Sequence, residues 1–157
     1  MNNTTKEALI WITEIITKLG IPFQIAGGLA AKAYGSTREL ADIDIDIPEE
    51  DFERIKKEVK SFITFGPAND KSESWDLMLM TLNYNGQIID LSGAYNTKIY
   101  NKKDGTWVKL NTDFSKVNYL DIYGVRIPVI GCKELIAYKK ILARPVDLID
   151  VEYLEKR

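Results

Sequence analysis

The 157-residue chain is 45% apolar, enough for one compact domain with a substantial core, which we expect to span residues 1–157. Its 21 basic and 23 acidic residues leave a net charge of −2, so no strong electrostatic attraction for polyanions is indicated. The absence of histidine excludes His-based acid–base catalysis, His-containing zinc sites and Ser-His-Asp triads. The single Cys132 excludes an intramolecular disulfide and is typical of a small buried side chain at a helix entry. There is no signal-peptide pattern and no apolar stretch of the ~20 residues that a membrane span needs, so we expect a soluble, cytoplasmic protein.

The first half of the chain predicts helices alternating with short strands. Helical apolar spacing covers residues 5–19 and ends at Gly20 and Pro22. A short strand is expected at 23–26, followed by a Gly27-Gly28 turn into a helix at 29–34. Alternating Asp and Ile predict a strand over 41–47, and Pro48 starts a further helix whose core face reaches Phe62.

The second half predicts a hairpin and a pair of closing helices. Residues 66–74 are polar and predict a loop, and strands at 75–84 and 87–91 flank Asn85-Gly86, the strongest hairpin dipeptide. The pattern is weaker over 92–119, with turns at 101–105, and one short strand or hairpin is expected at 122–129. Helices are predicted at 133–142 and from Pro145, the latter with Leu148, Ile149 and Leu154 inward. The order indicates an α+β fold, a central mixed sheet with helices packed on it and a C-terminal helical pair.

The most informative stretch is the row of aspartates at 42, 44 and 46. Strand alternation puts Asp42, Asp44 and Asp46 on one face, with neighbouring carboxylates ~6.5 Å apart. At an effective dielectric near 20, each ionised pair repels by roughly 2–3 kcal/mol. The row therefore either faces open water, as on a solvated edge strand, or holds a divalent cation.

Two further features extend this row into a candidate site. Gly27-Gly28 lies between a strand and a helix, where glycine lets backbone amides approach a phosphate closely. Asp90 is the only acid in an otherwise apolar return strand, and a hairpin can place it beside the row. Three carboxylates form an oxygen-only set that suits Mg²⁺, with Mn²⁺ as the alternative, in two-metal phosphoryl chemistry.

Gly-Gly, a gap of about a dozen residues, Asp-x-Asp between apolar residues and a later lone Asp resemble the polymerase β-type nucleotidyltransferase superfamily. The likeness is to small members, including minimal toxin–antitoxin nucleotidyltransferases and antibiotic adenylyltransferases. Arg38, four residues before Asp42, and the closing segment from Glu134 through Lys139 to Asp150 are similar to the same proteins. The pattern departs from the family at Leu40, where Thr, Ser or His is common, and in having a third acid at Asp46.

The resemblance implies roles for individual residues. Gly27 and Gly28 would hold the triphosphate of an NTP, with Arg38 and Lys139 as further nucleotide contacts. Asp42 and Asp44 would be paired metal ligands and Asp90 the third, activating the acceptor hydroxyl. The register could instead be Asp44 with Asp46, but the distance from Arg38 favours Asp42 with Asp44, which leaves Asp46 peripheral.

The function implied is transfer of a nucleoside monophosphate from an NTP to a hydroxyl, with release of pyrophosphate. The acceptor could be an RNA end, a protein or a small molecule, and a homodimer or an antitoxin-like partner could complete the acceptor site. A non-catalytic nucleotide-binding or toxin–antitoxin module of the same fold is the alternative, and a glycosyltransferase with an Asp-x-Asp metal site ranks last. Lys139, Lys140 and Arg144 are otherwise typical of a solvated helix face.

Overall fold

The computed structural model describes residues 3–156, in which a nine-stranded mixed sheet carries helices against its faces. The helices are α1 (Asn3–Lys18), α2 (Gly27–Ala33), α3 (Phe52–Val59), α4 (Cys132–Leu142) and α5 (Pro145–Glu155). The strands are β1 (Gln24–Ala26), β2 (Ile43–Ile47), β3 (Ile63–Lys71), β4 (Trp75–Tyr84), β5 (Gln87–Gly93), β6 (Lys98–Asn101), β7 (Thr106–Lys109), β8 (Asn118–Ile122) and β9 (Val125–Val129). Short 3-10 turns occupy Glu49–Asp51, Lys60–Phe62 and Phe114–Lys116.

The sheet is centred on the strands that carry the candidate site. Its order is β7-β6-β4-β5-β2-β1-β9-β8, with β3 paired to β4. Strand β2 runs antiparallel to β1 and parallel to β5, and β1 runs parallel to β9. This mixed α/β arrangement with a closing pair of helices confirms the predicted fold class.

The alternation predicted for the aspartate strand is confirmed. Ile43, Ile45 and Ile47 are fully buried in the core, whereas Asp44 and Asp46 between them are only partly buried. The isoleucines join the apolar face of α1, including Leu9 and Ile12, in one core cluster. Burial of one face of β2 therefore determines which way the carboxylates point.

The hairpin predicted at Asn85-Gly86 is present, and both residues have positive φ, 50° and 94°. This conformation is typical of the two-residue turns that match strand twist. The turn predicted at 101–105 joins β6 to β7, and the segment at 122–129 contributes to the β8–β9 hairpin. None of the helices within residues 3–156 has the length and apolar character needed to cross a membrane.

Three expectations are wrong. The predicted loop at 66–74 is mostly strand β3, which pairs with β4 and shifts register twice around Phe65. On α5, Leu148 and Ile149 are 52% and 44% exposed, because the inward positions are occupied by Asp147 and Asp150. Lys139 is not on a solvated face, since it is 2% exposed.

Candidate functional site

A cavity of about 450 Å³ opens at the face of the sheet where the aspartates emerge. Its acidic floor comes from β2 and β5, and its far side from α4 and the α4–α5 link. Its apolar wall comes mainly from Trp75, Leu77 and Leu79 of β4, with Val108 and Leu110 beside them. The lining residues used below are Gly27, Asp42, Asp44, Asp46, Trp75, Asp90, Tyr138 and Arg144.

Asp44 and Asp90 form the centre of the floor. They are register partners on the adjacent parallel strands β2 and β5. Register partners lie ~4.8 Å apart across a sheet and project to the same face, so their carboxylates lie side by side. Asp42 directly precedes β2, two residues from Asp44, and lines the same cavity. The three carboxylates predicted as metal ligands therefore line one cavity, with Asp44 and Asp90 adjacent.

At Gly27 the backbone approaches the Asp44 carboxylate closely. Gly27 is the first residue of α2 and has a φ of +60°, and a Cβ added there would lie 2.1 Å from Oδ2 of Asp44. Its N–H donates to the Tyr138 hydroxyl oxygen at 2.8 Å. Any side chain at position 27 would therefore displace Asp44 as well as strain the backbone.

The carboxylates of the floor are hard to ionise together. Burial, followed by the charges of Asp90, Asp42 and Asp46, raises the pKa of Asp44 from 3.8 to about 7. Burial also raises the pKa of Asp42 and of Asp90. At Asp90 this effect is opposed by a hydrogen bond, which the Thr81 hydroxyl donates to Oδ1 at 2.7 Å. A divalent cation would relieve this repulsion.

The donor set fits a hard cation such as Mg²⁺, because every candidate ligand is a carboxylate oxygen. Within residues 3–156, no group of three or more acidic, histidine or cysteine side chains closes into one metal-binding cluster. The fit therefore rests on the adjacent Asp44 and Asp90, with Asp42 beside them.

Asp46 has a partner of its own. Its Oδ2 accepts a hydrogen bond at 2.8 Å from the side chain of Gln24, its register partner on β1. Burial raises the pKa of Asp46 to about 6 despite this hydrogen bond. Asp46 also lines the cavity, so the choice of Asp42 over Asp46 as the partner of Asp44 stays a prediction.

The predicted nucleotide contacts Arg38 and Gly28 lie outside the cavity lining. The Nε and Nη2 atoms of Arg38 donate to the two carboxylate oxygens of Asp150 at 3.0 and 2.9 Å. A Cβ at position 28 would lie 2.7 Å from Nη2 of Arg38, so Gly28 makes room for this guanidinium. Their contact with nucleotide stays a prediction.

Lys139 belongs to the same buried group of charges. Its Nζ lies 3.0 Å from Asp150 and 3.3 Å from Asp147, both of which are fully buried. Asp147 also accepts from the Arg144 guanidinium, with Nε at 2.6 Å and Nη2 at 3.1 Å. We call Arg38, Asp150, Lys139, Asp147 and Arg144 the charge chain; a nucleotide contact by Lys139 stays a prediction.

Sequence reasoning gave no role to Thr81 or Tyr138. Thr81 could have been found by counting back from the hairpin, since a two-residue turn at 85–86 pairs residue 81 with residue 90. Tyr138 gave no such signal, because its contact with Gly27 joins residues 111 positions apart. Its burial and the charge of Asp44 raise its pKa well above the usual value, so its hydroxyl keeps its proton.

Neither a family model nor a curated protein sequence matches this chain. Solved structures do match over nearly its whole length. A candidate nucleotidyltransferase from Thermotoga maritima is 22% identical with a TM-score of 0.67, over 97% of this chain and 95% of that one. The lincosamide antibiotic adenylyltransferase LnuA, bound to lincomycin, is 15% identical with a TM-score of 0.64, over 98% of both chains. ANT(2″)-Ia, in complex with adenylyl-2″-tobramycin, is 16% identical with a TM-score of 0.64, over 98% of this chain and 89% of that one.

The chain therefore has a nucleotidyltransferase-like fold, as the sequence predicted. Antibiotic adenylyltransferases are among the structures that share it. At these identities the likeness establishes the fold, and the activity has to be argued from the cavity and its residues.

Proposed function

We propose that the protein is a Mg²⁺-dependent nucleotidyltransferase that moves a nucleoside monophosphate from an NTP to an acceptor hydroxyl. The observation that carries this proposal is the pairing of Asp44 with Asp90 on the floor of the cavity, at a cost in charge repulsion that a bound cation would offset. The likeness to adenylyltransferase structures supports the same reaction class.

In this proposal, Asp42, Asp44 and Asp90 hold the metal, Mg²⁺ or alternatively Mn²⁺. When bound, the metal neutralises charge on the phosphates. Asp90, oriented by Thr81, accepts the proton of the acceptor hydroxyl. That hydroxyl oxygen forms a bond to the α-phosphorus, and the bond from the α-phosphorus to its bridging oxygen breaks. The electron pair leaves with pyrophosphate.

The remaining residues prepare the space for this step. Gly27 leaves the Asp44 carboxylate uncovered, and its fixed hydrogen bond to Tyr138 keeps the start of α2 in place. The apolar wall around Trp75 limits the water that could compete with the acceptor hydroxyl. The acceptor, whether an RNA end, a protein or a small molecule, would enter from the open side of the cavity, in the cytoplasm.

The proposal is tested by incubating the protein with Mg²⁺, each labelled NTP, and RNA, protein, lincosamide and aminoglycoside acceptors. We expect transfer to one acceptor class, with loss of at least 100-fold in Asp44→Asn and Asp90→Asn. Asp121→Asn is the matched control, because its side chain is 70% exposed on β8 and lies outside the cavity lining.

Transfer that survives in Asp44→Asn would contradict the assignment of the metal ligands. Binding of Mg²⁺ and NTP in calorimetry with transfer to none of the acceptors would instead favour a non-catalytic nucleotide-binding module. Absence of NTP binding and transfer would reject the proposed function.

A further inference from the structure

The charge chain has one more cation than carboxylates, and one of its cations lies at the wall of the cavity. It contains three cations, Arg38, Lys139 and Arg144, but only two carboxylates, Asp147 and Asp150. Lys139 is buried between both carboxylates, and the Arg38 side chain is only 21% exposed. Among the five residues of the charge chain, Arg144 is the one that lines the cavity, and its side chain is 36% exposed.

Contacts on two sides hold the Arg144 guanidinium in place. Asp147 accepts from Nε and Nη2, and the Trp75 ring centroid lies 5.9 Å from the guanidinium carbon. Within residues 3–156, Nη1 donates no hydrogen bond, so its two N–H groups are available to an anion. A guanidinium fixed in this way loses little side-chain entropy when it binds a phosphate.

We propose that Arg144 is the phosphate-binding residue of the cavity and that Asp147 positions it. This inference rests on the proposed function, because it assigns the anion as the β- and γ-phosphates of the NTP. Arg144 and Asp44 line the same cavity, so one triphosphate with its cation can reach both the carboxylate floor and the guanidinium. Lys139 then serves to hold Asp147, from within the protein.

The test compares Arg144→Gln and Arg144→Lys by calorimetry with Mg²⁺-tripolyphosphate and with each Mg²⁺-NTP. A charge-assisted hydrogen bond predicts that Arg144→Gln raises Kd by roughly 10- to 100-fold. Arg144→Lys should recover part of this loss, because lysine keeps the charge but not the planar fork. In transfer assays the NTP KM should rise in the same order, while kcat changes by less than about threefold.

Lys140→Gln is the matched control, since Lys140 lies on the same helix pair but is exposed and pairs with Glu155 at 2.9 Å. Arg144→Gln keeps the backbone N–H that caps α5 through Asp147, so the fold should persist, as thermal melting would check. Unchanged Kd in Arg144→Gln, with binding lost in Asp44→Asn, would overturn this inference alone. Failure of the wild type to bind any of these probes would overturn the proposed function together with it.

Discussion

Replacing Asp44 by Asn should stabilise the metal-free protein at pH 8 while it abolishes transfer. Burial and the neighbouring carboxylates raise the pKa of Asp44 from 3.8 to about 7. This is a shift of roughly three pKa units, and each unit corresponds to about 1.4 kcal/mol. Ionising Asp44 therefore costs at most ~4 kcal/mol more in the folded state than in the unfolded state. Water in the open cavity screens part of this cost, so we expect Asp44→Asn to raise the free energy of unfolding by about 1–3 kcal/mol.

The gain should depend on pH in a defined direction. Because the folded-state pKa of Asp44 exceeds the unfolded value, the folded protein binds more protons between about pH 4 and pH 7. Wild-type stability should therefore rise as pH falls from 7 toward 4, and the advantage of Asp44→Asn should fall to roughly half or less near pH 5 and toward zero below about pH 4.

Urea unfolding at pH 8 and at pH 5 measures both effects, with EDTA present to remove cations. Asp121→Asn should leave the free energy of unfolding within about 0.5 kcal/mol of the wild type. The reasoning is refuted if Asp44→Asn is less stable than the wild type at pH 8, or if the difference persists unchanged at pH 5.

The other predictions concern a glycine, a buried carboxylate and a hydroxyl. Gly27→Ala should lower the free energy of unfolding, measured in urea, by about 2–4 kcal/mol, because the added methyl group clashes with the Asp44 carboxylate and alanine is strained at this positive φ. Gly20→Ala is the control: its φ is also positive, +69°, but the space around it is open, so it should lose only ~1 kcal/mol. Burial opposes ionisation of Asp150, but hydrogen bonds from its cationic partners outweigh burial and lower the pKa of Asp150. Asp150→Asn should therefore be less stable than the wild type at pH 7, and it should lose less stability than the wild type as pH falls below about 4. Thr81→Val should raise the pKa of Asp90 further and move the acid limb of the pH–rate profile for transfer to higher pH.

Each of these has an outcome that would contradict it. Equal losses of unfolding free energy in Gly27→Ala and Gly20→Ala would mean that the clash with the Asp44 carboxylate contributes nothing. If Asp150→Asn lost stability in acid as steeply as the wild type, the ion pairs of Asp150 would not be the cause of acid sensitivity. An acid limb that stays in place in Thr81→Val would argue against Asp90 as the proton acceptor.

The floor of the site was predictable because two local sequence signals, an alternation and a turn, determine it. Strict alternation over 41–47 put the isoleucines in the core and the aspartates on the other face. The Asn85-Gly86 turn fixed the hairpin register and so the place of Asp90. Both signals are local, and each survives without knowledge of the rest of the fold.

The errors have physical causes that local patterns do not carry. Strand β3 lies beside β4 and leaves its side chains exposed or half-buried, so it lacks the alternation that marks a strand with one buried face. On α5, the inward face was predicted from apolar residues, but Asp147 and Asp150 occupy it because Lys139 and Arg38 neutralise them there. For α5, the deciding ion pair of Arg38 with Asp150 joins residues far apart in the chain.

The charge chain also dictates when this fold can be completed during synthesis. Arg38 and Lys139 emerge from the ribosome before Asp147 and Asp150, the carboxylates that neutralise them. Until those late residues arrive, burying the lysine would leave an uncompensated cation in the core, at a cost of several kcal/mol. Burial of charged Lys139 therefore depends on the docking of α5.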